Sequence, residues 1–141
     1  MELKTAKKVA VIGAGCGGIS TALFLRRNGV HVDVFEKREK PMGAVTYVIP
    51  EFRISTETIA KDYNLAVAAG VHFHFGVSAD FNVNELKKEY DFVVIAIGSW
   101  LKGFNPLTTG KELAYEALDF LEKSREKFKG FTFSNYFFKC F

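Results

Sequence analysis

The run Val9-Ala10-Val11-Ile12-Gly13-Ala14-Gly15-Cys16-Gly17-Gly18, together with Glu36 further on, carries the most readable chemistry in this chain. A G-x-G-x-x-G turn between a strand and a helix suits the diphosphate of a dinucleotide. Gly13 permits the tight turn, Gly15 lets the backbone reach the pyrophosphate, and Gly18 lets the helix pack closely on the strand. The free N–H groups and positive dipole end of a helix starting near Gly17 then face the phosphates. Glu36 stands eighteen residues beyond Gly18, where a carboxylate can accept both hydroxyls of a ribose.

These residues need a scaffold to hold them together, and the flanking sequence supplies one. Val9 to Ile12 is a short β-branched run suited to a buried parallel strand. Ile19, Ala22 and Leu23 then repeat at helical spacing, with Arg26 and Arg27 in the last turn and Gly29 as a stop. Val30 to Phe35 reads as a second strand that delivers Glu36. Strand, turn, helix and strand predict an α/β fold of the Rossmann-like, three-layer kind with a central parallel sheet.

Downstream, residues 42–54, bracketed by Pro41 and Pro50, are too irregular for a regular element and read as a binding loop. Ser55 is placed to cap a helix in which Ile59, Tyr63 and Val67 repeat every four residues until Gly70, with Ile54 and Ile59 spaced as a hydrophobic staple. Val71 to Phe75 alternates as a half-buried strand, with His72 and His74 on one face. No carboxylate or cysteine is adjacent to these histidines in the sequence, so no metal site is expected there. Asn82 and Glu85 resemble a capping box for a short helix through Glu89, and Tyr90 to Ile97 reads as another central strand ending at Gly98. A loop over 103–110 precedes a helix predicted from Lys111, carrying Leu113, Ala117, Leu118, Phe120 and Leu121. Residues 1–130 are thus expected to form one dinucleotide-binding domain. Residues 131–141, crowded with Phe and Tyr, read as a truncated end or a partner-contact tail.

Composition narrows the class. A length of 141 residues with 48% hydrophobic content fits a single globular domain. The net charge of +3 is small, and the charges of Glu36 to Lys40 alternate in sign like a solvated segment. Without a basic patch or base-stacking motif, nucleic acid is not an expected partner. Two cysteines far apart, Cys16 and Cys140, argue against a disulfide framework and for a reducing, cytoplasmic setting. The lysines before Val9 imitate a secretory signal, but cleavage after it would delete the first strand and the glycine turn. No segment is long and apolar enough to span a bilayer, so no membrane partner is expected.

The glycine fingerprint, Glu36-Lys37, the element Ile49-Pro50-Glu51-Phe52-Arg53 and the strand ending Ala96-Ile97-Gly98 together resemble the FAD-dependent pyridine nucleotide-disulfide oxidoreductase superfamily. Within it, the likeness is to the branch of the glutamate synthase small subunit and the flavin domain of dihydropyrimidine dehydrogenase. It runs from about Lys7 to Lys129. The resemblance implies FAD as cofactor, with NAD(P)H as co-substrate in the full-length family. By it, Gly13, Gly15 and Gly18, with Ala14 and Gly17 in the same turn, would hold the FAD pyrophosphate. Glu36 would hold the adenosine ribose and Lys37 would flank the adenine. Gly43, followed by Ala44, matches the backbone approaching the flavin. Arg53 matches a basic residue near the phosphates and isoalloxazine, and Val77 the backbone group that reads adenine. Ala96 and Gly98 match a second flavin motif, with Ile97 where threonine is usual.

The departures are specific. Met42 stands where a second glycine is usual, and Val48 where the family has glycine before Ile-Pro, so both loops carry extra bulk. A second G-x-G-x-x-G for the nicotinamide nucleotide, the late Gly-Asp motif and a cysteine-rich iron–sulfur region are all missing from these 141 residues. The resemblance therefore implies the FAD-binding portion of an oxidoreductase, truncated before the inserted NAD(P) domain. A partner chain would supply that domain or an iron–sulfur or electron-acceptor subunit. No catalytic side chain is implied, because the flavin performs the chemistry. Two alternatives stay open: a non-catalytic nucleotide-binding remnant or accessory subunit, and a small NAD-dependent dehydrogenase, which Glu36 would also suit but which lacks a Tyr-x-x-x-Lys pair.

Overall fold

A computed structural model describes residues 2–77, 82–99, 109–110 and 115–127. Strand β1 (Lys8–Ile12) leads into helix α1 (Cys16–Arg27) and strand β2 (His31–Glu36), the strand–helix–strand unit expected from the apolar spacing. The short helix α2 (Ala44–Tyr47) and the longer α3 (Thr56–Ala68) follow, then β3 (His72–Phe75), α4 (Val83–Glu89), β4 (Phe92–Ile95) and α5 (Ala117–Lys127). The four strands form one parallel sheet in the order β3-β2-β1-β4. The order reverses at β1, which places the crevice between the carboxyl ends of β1 and β4.

The core forms where one face of the sheet meets α1 and α3. Val9, Val11, Val32 and Val34 come into line because the register pairs Val9 with Val32 and Val11 with Val34. Ile19 and Ala22 of α1 and Ile59 and Ala66 of α3 close over them. Burying each branched side chain is worth roughly 1.5–3 kcal/mol. Ser55 caps α3 by accepting a hydrogen bond from the Thr58 amide, and Ile54 packs against the cluster that contains Ile59. Tyr63 sets its ring edge on Phe73, 4.9 Å between centroids, which seats α3 over β3. Buried Arg26 donates from Nε to the Gly70 carbonyl at 3.2 Å and ties the ends of α1 and α3 together.

Three sequence expectations change. Within the irregular stretch 42–54, residues Ala44–Tyr47 wind into one helical turn, started at Gly43 with φ of 52°. The run read as a central strand from Tyr90 to Ile97 pairs only over Phe92–Ile95. It lies at the sheet's edge among the described residues, beside β1 alone. Its apolar residues signal packing in general, and here Phe92, Ile95 and Ile97 are exposed whereas Val93 and Val94 are half-buried. The last helix begins at Ala117, with Tyr115 and Glu116 outside it. The aromatic tail at 131–141 lies outside the described residues.

Candidate functional site

The glycine turn sits at the carboxyl edge of the sheet, and each glycine meets a different steric demand. Gly13 has φ of 108°, and a Cβ there would lie 2.4 Å from the Ala96 carbonyl oxygen, so the turn closes against the end of β4. A Cβ on Gly18 would meet the Gly13 carbonyl oxygen, which seals helix to strand. At Gly15 and Gly17 a Cβ would meet no atom within 4 Å. Protein packing does not demand glycine at these two positions, and the space they leave opens into a cavity.

That cavity measures about 740 Å³, within the range of small-molecule and cofactor sites. Its first wall is the turn itself: Ile12, Gly13, Gly15, Cys16 and Gly17. The end of β2 contributes Phe35, Glu36, Lys37 and Arg38; the α2 segment contributes Met42, Gly43, Ala44 and Val45; the end of β4 contributes Ala96, Ile97, Gly98 and Ser99; and α5 contributes Leu118. Helix α1 has Gly15 at its N-cap, with no capping side chain and no acidic residue in its first turn. Its opening turn therefore meets the cavity without a capping side chain.

Glu36 is buried, and both of its carboxylate oxygens are engaged by backbone. Oε2 accepts from the Ala14 amide at 2.8 Å and Oε1 from the Arg38 amide at 2.9 Å. Two amides fix the orientation of the group while leaving acceptor capacity on each oxygen, since an ionised carboxylate offers about four lone-pair sites. Met42 closes the opposite side. Its amide donates to the Ala14 carbonyl at 2.7 Å, it bridges Gly15 in parallel, and a Cβ on Gly43 would lie 3.2 Å from the Gly15 Cα.

Most of the residues expected at the site from the sequence converge here. Gly13, Gly15, Gly17, Glu36, Lys37, Gly43, Ala44, Ala96, Ile97 and Gly98 line one cavity. Ala14 and Gly18 lie buried behind it, supporting Glu36 and the helix start. Arg53 and Val77 do not line it. Arg53 is exposed over the Phe52 ring, and the Val77 amide donates to the Glu36 carbonyl at 3.1 Å.

Arg38 is a site residue that the sequence reading passed over as part of a solvated charge run. Its guanidinium grips Glu122 of α5 through both terminal nitrogens, at 2.6 and 3.2 Å, and stands 4.3 Å from the centre of the Tyr47 ring. The hydrogen bond to Glu122 pushes the Arg38 pKa up. Only the two-residue offset from Glu36 hinted at this, because its partner is far away in sequence.

A second correction concerns the histidines. His72 and His74 do have a carboxylate beside them: the register pairs Asp33 with His72, and Asp33 lies 3.5 Å from His72 Nδ1 and 3.3 Å from His74 Nε2. Burial works against ionisation of Asp33. The His74 hydrogen bond, the nearby His31 and the Tyr90 hydroxyl outweigh it and hold the carboxyl below its usual range. Burial and the Asp33 charge push Tyr90 upward.

Comparison with known proteins gives this geometry a setting. Among curated relatives, the chain is 37% identical over 116 residues to YgfK of Escherichia coli (strain K12), covering 82% of this chain and 11% of that protein. It is 31% identical over 131 residues to the glutamate synthase [NADPH] small chain of the same organism, covering 91% of this chain and 28% of that one. The chain thus spans less than a third of either relative's length. Among solved structures, a variant of FprA from Mycobacterium tuberculosis superposes with a TM-score of 0.65 at 19% identity, over 74% of this chain and 25% of that one, which matches the fold. Residues 7–129, the stretch that builds the sheet and every wall of the cavity, match the family described as pyridine nucleotide-disulphide oxidoreductase, and the chain belongs to that family.

Proposed function

We propose that the cavity binds FAD and that the chain is the FAD-binding portion of an NAD(P)H-dependent oxidoreductase passing electrons from NAD(P)H through the flavin to an acceptor. One observation carries this reading. The open space at Gly15, the uncapped start of α1 and the oriented carboxylate of Glu36 share one cavity, as a diphosphate joined to a ribose requires. In this reading the amides near Gly15 and Gly17 bind the diphosphate, and Glu36 accepts the ribose hydroxyls. Lys37 flanks the adenine, and the backbone at Gly43, Ala44 and Ala96 to Gly98 borders the flavin. Arg53 and Val77, outside the cavity walls, would reach the cofactor only from its rim. When bound, the flavin supplies the hydride and electron transfer. The chain's own residues orient it and shield it from water. The nicotinamide-binding part and the acceptor are assigned to polypeptide beyond the matched segment, on the same chain or on a partner.

The test reconstitutes the chain with FAD and titrates FAD and NADH separately by fluorescence. Bound flavin in the wild type, with Gly15→Val losing at least about tenfold in FAD affinity and keeping the wild-type melting temperature, is the expected result. Tight NADH binding without FAD binding would replace this reading with a dehydrogenase, and Gly15→Val binding FAD as well as the wild type would remove it. Gly18→Ala is the contrasting control: its Cβ would run into the Gly13 carbonyl oxygen, so it should lose stability first, by about 2 kcal/mol or more.

A further inference from the structure

All three histidines of the chain converge on one carboxylate. His31 Nε2 lies 3.1 Å from Asp33 Oδ2, and His72 Nδ1 and His74 Nε2 lie 3.5 and 3.3 Å from Asp33 Oδ1. The Tyr90 hydroxyl donates to Oδ2 at 3.1 Å. The convergence follows from strand alternation: His31 and Asp33 point to the sheet face opposite Val32 and Val34, and the parallel register brings His72 beside Asp33. The cavity at the glycine turn involves none of these side chains.

We propose that His31, Asp33 and His72 form a binding site for a divalent first-row transition cation, specifically Zn²⁺. The ligand atoms of these three residues lie within 4.8 Å of one another. Zinc bonds to imidazole nitrogen and carboxylate oxygen are about 2.0–2.2 Å long, which in a tetrahedron separates neighbouring donor atoms by about 3.3–3.6 Å. Asp33 reaches His31 through Oδ2 at 3.1 Å and His72 through Oδ1 at 3.5 Å, so the donors stand near that spacing and small side-chain rotations bring one atom from each residue onto a common ion. Charge favours the same conclusion. The carboxylate attracts a cation, and a neutral imidazole offers it a lone pair. Two imidazoles with one carboxylate suit zinc and its neighbours better than magnesium or calcium, which prefer all-oxygen sets. Tyr90 and His74 hold the carboxylate in place, the supporting role that hydrogen-bonded neighbours play around metal ligands. The side chains of His31 and His72 are 28% and 59% exposed, so the ion reaches the site from solvent and a water completes its fourth position.

The experiment uses the full chain carrying Cys16→Ser and Cys140→Ser, which removes thiolate competition, and titrates it with ZnCl₂ by calorimetry and with CoCl₂ by visible absorption. The expected result is one equivalent of Zn²⁺ per chain, a tetrahedral cobalt spectrum without sulfur ligation, and a higher melting temperature with zinc. His72→Gln is the cleanest variant, since its exposed side chain leaves the core intact, and it should weaken Zn²⁺ binding by about tenfold or more; His31→Gln should do the same. Absence of stoichiometric binding, or both variants binding as tightly as the parent, would overturn the site and leave a hydrogen-bonded network only. FAD titration of His72→Gln made with Cys16 and Cys140 intact separates this inference from the cofactor reading, because that variant should leave FAD affinity unchanged.

Discussion

Met42 combines two opposing demands on one side chain. With φ of 73° it is the one non-glycine residue at positive φ among those described, a conformation that costs an L-residue roughly 1–2 kcal/mol. Its amide is fixed to the Ala14 carbonyl and its side chain is buried in the core cluster, so tertiary contacts enforce the conformation. Truncating a buried methionine costs about 2–5 kcal/mol, more than the strain that glycine would relieve. Met42→Gly should therefore be less stable than the wild type by about 1–3 kcal/mol in urea unfolding, even though glycine is the residue usual at this position in the resemblance drawn from the sequence. A more stable variant would show that strain outweighs burial here. The sequence revealed that Met42 is unusual but not why it is tolerated. The roles of Gly13 and Gly18 were legible because their steric partners lie in the turn or at the neighbouring strand end that the motif implies. Those of Met42 depend on a loop folding back onto the glycine turn at Ala14 and Gly15, which no local pattern encodes.

Arg38 and Glu122 show how helix α5 is held over the cavity. The pair is bidentate, but each side chain remains 25% exposed, so solvent screens much of its charge attraction. A double-mutant cycle with Arg38→Ala and Glu122→Ala should return a coupling of about 1 kcal/mol or less, shrinking as salt is added. A coupling that is absent at low salt would mean that Leu118 and the contact between α2 and α5 hold the helix without the ion pair. Helices α1 and α3 were legible from their periodicity, caps and stops because those signals lie within each segment. The start of α5 falls at Ala117, past the expected Lys111, with Tyr115 and Glu116 outside the helix, and helical spacing carries no cap signal that would mark that boundary. The place of β4 at the edge among the described strands is not legible in the sequence, because a continuous apolar run does not say which strands flank it. The Asp33 cluster was hidden for a related reason: it exists only once parallel register sets β2 beside β3, and sequence alone leaves register undetermined.

The two ends of the sheet's central connections are fastened differently. At the amino edge, Asp91 accepts from the Lys7 ammonium and the Lys8 amide, and its own amide donates to the Lys8 carbonyl. The Lys7 hydrogen bond, followed by that of Lys8, holds the Asp91 carboxyl below its ordinary value of 3.8. A lowered folded-state value means that this clasp supports the fold fully above the ordinary value and is lost as pH falls through the lower one. Stability measured against pH should show wild type and Asp91→Asn separated by a constant margin above about pH 5, with the gap narrowing on further acidification. An unchanging gap down to pH 2 would remove Asp91 as the titrating group. At the opposite, carboxyl edge, the wall formed by Ala96 to Gly98 continues directly from β4, whose partner β1 lies far back in the chain, pairing Ile12 with Ile95. That is the most distant ladder among the described strands, and loop closure delays such ladders in folding. The binding chamber rests on that long-range ladder, and a ligand seated in it would act as a latch that favours the closed arrangement by mass action.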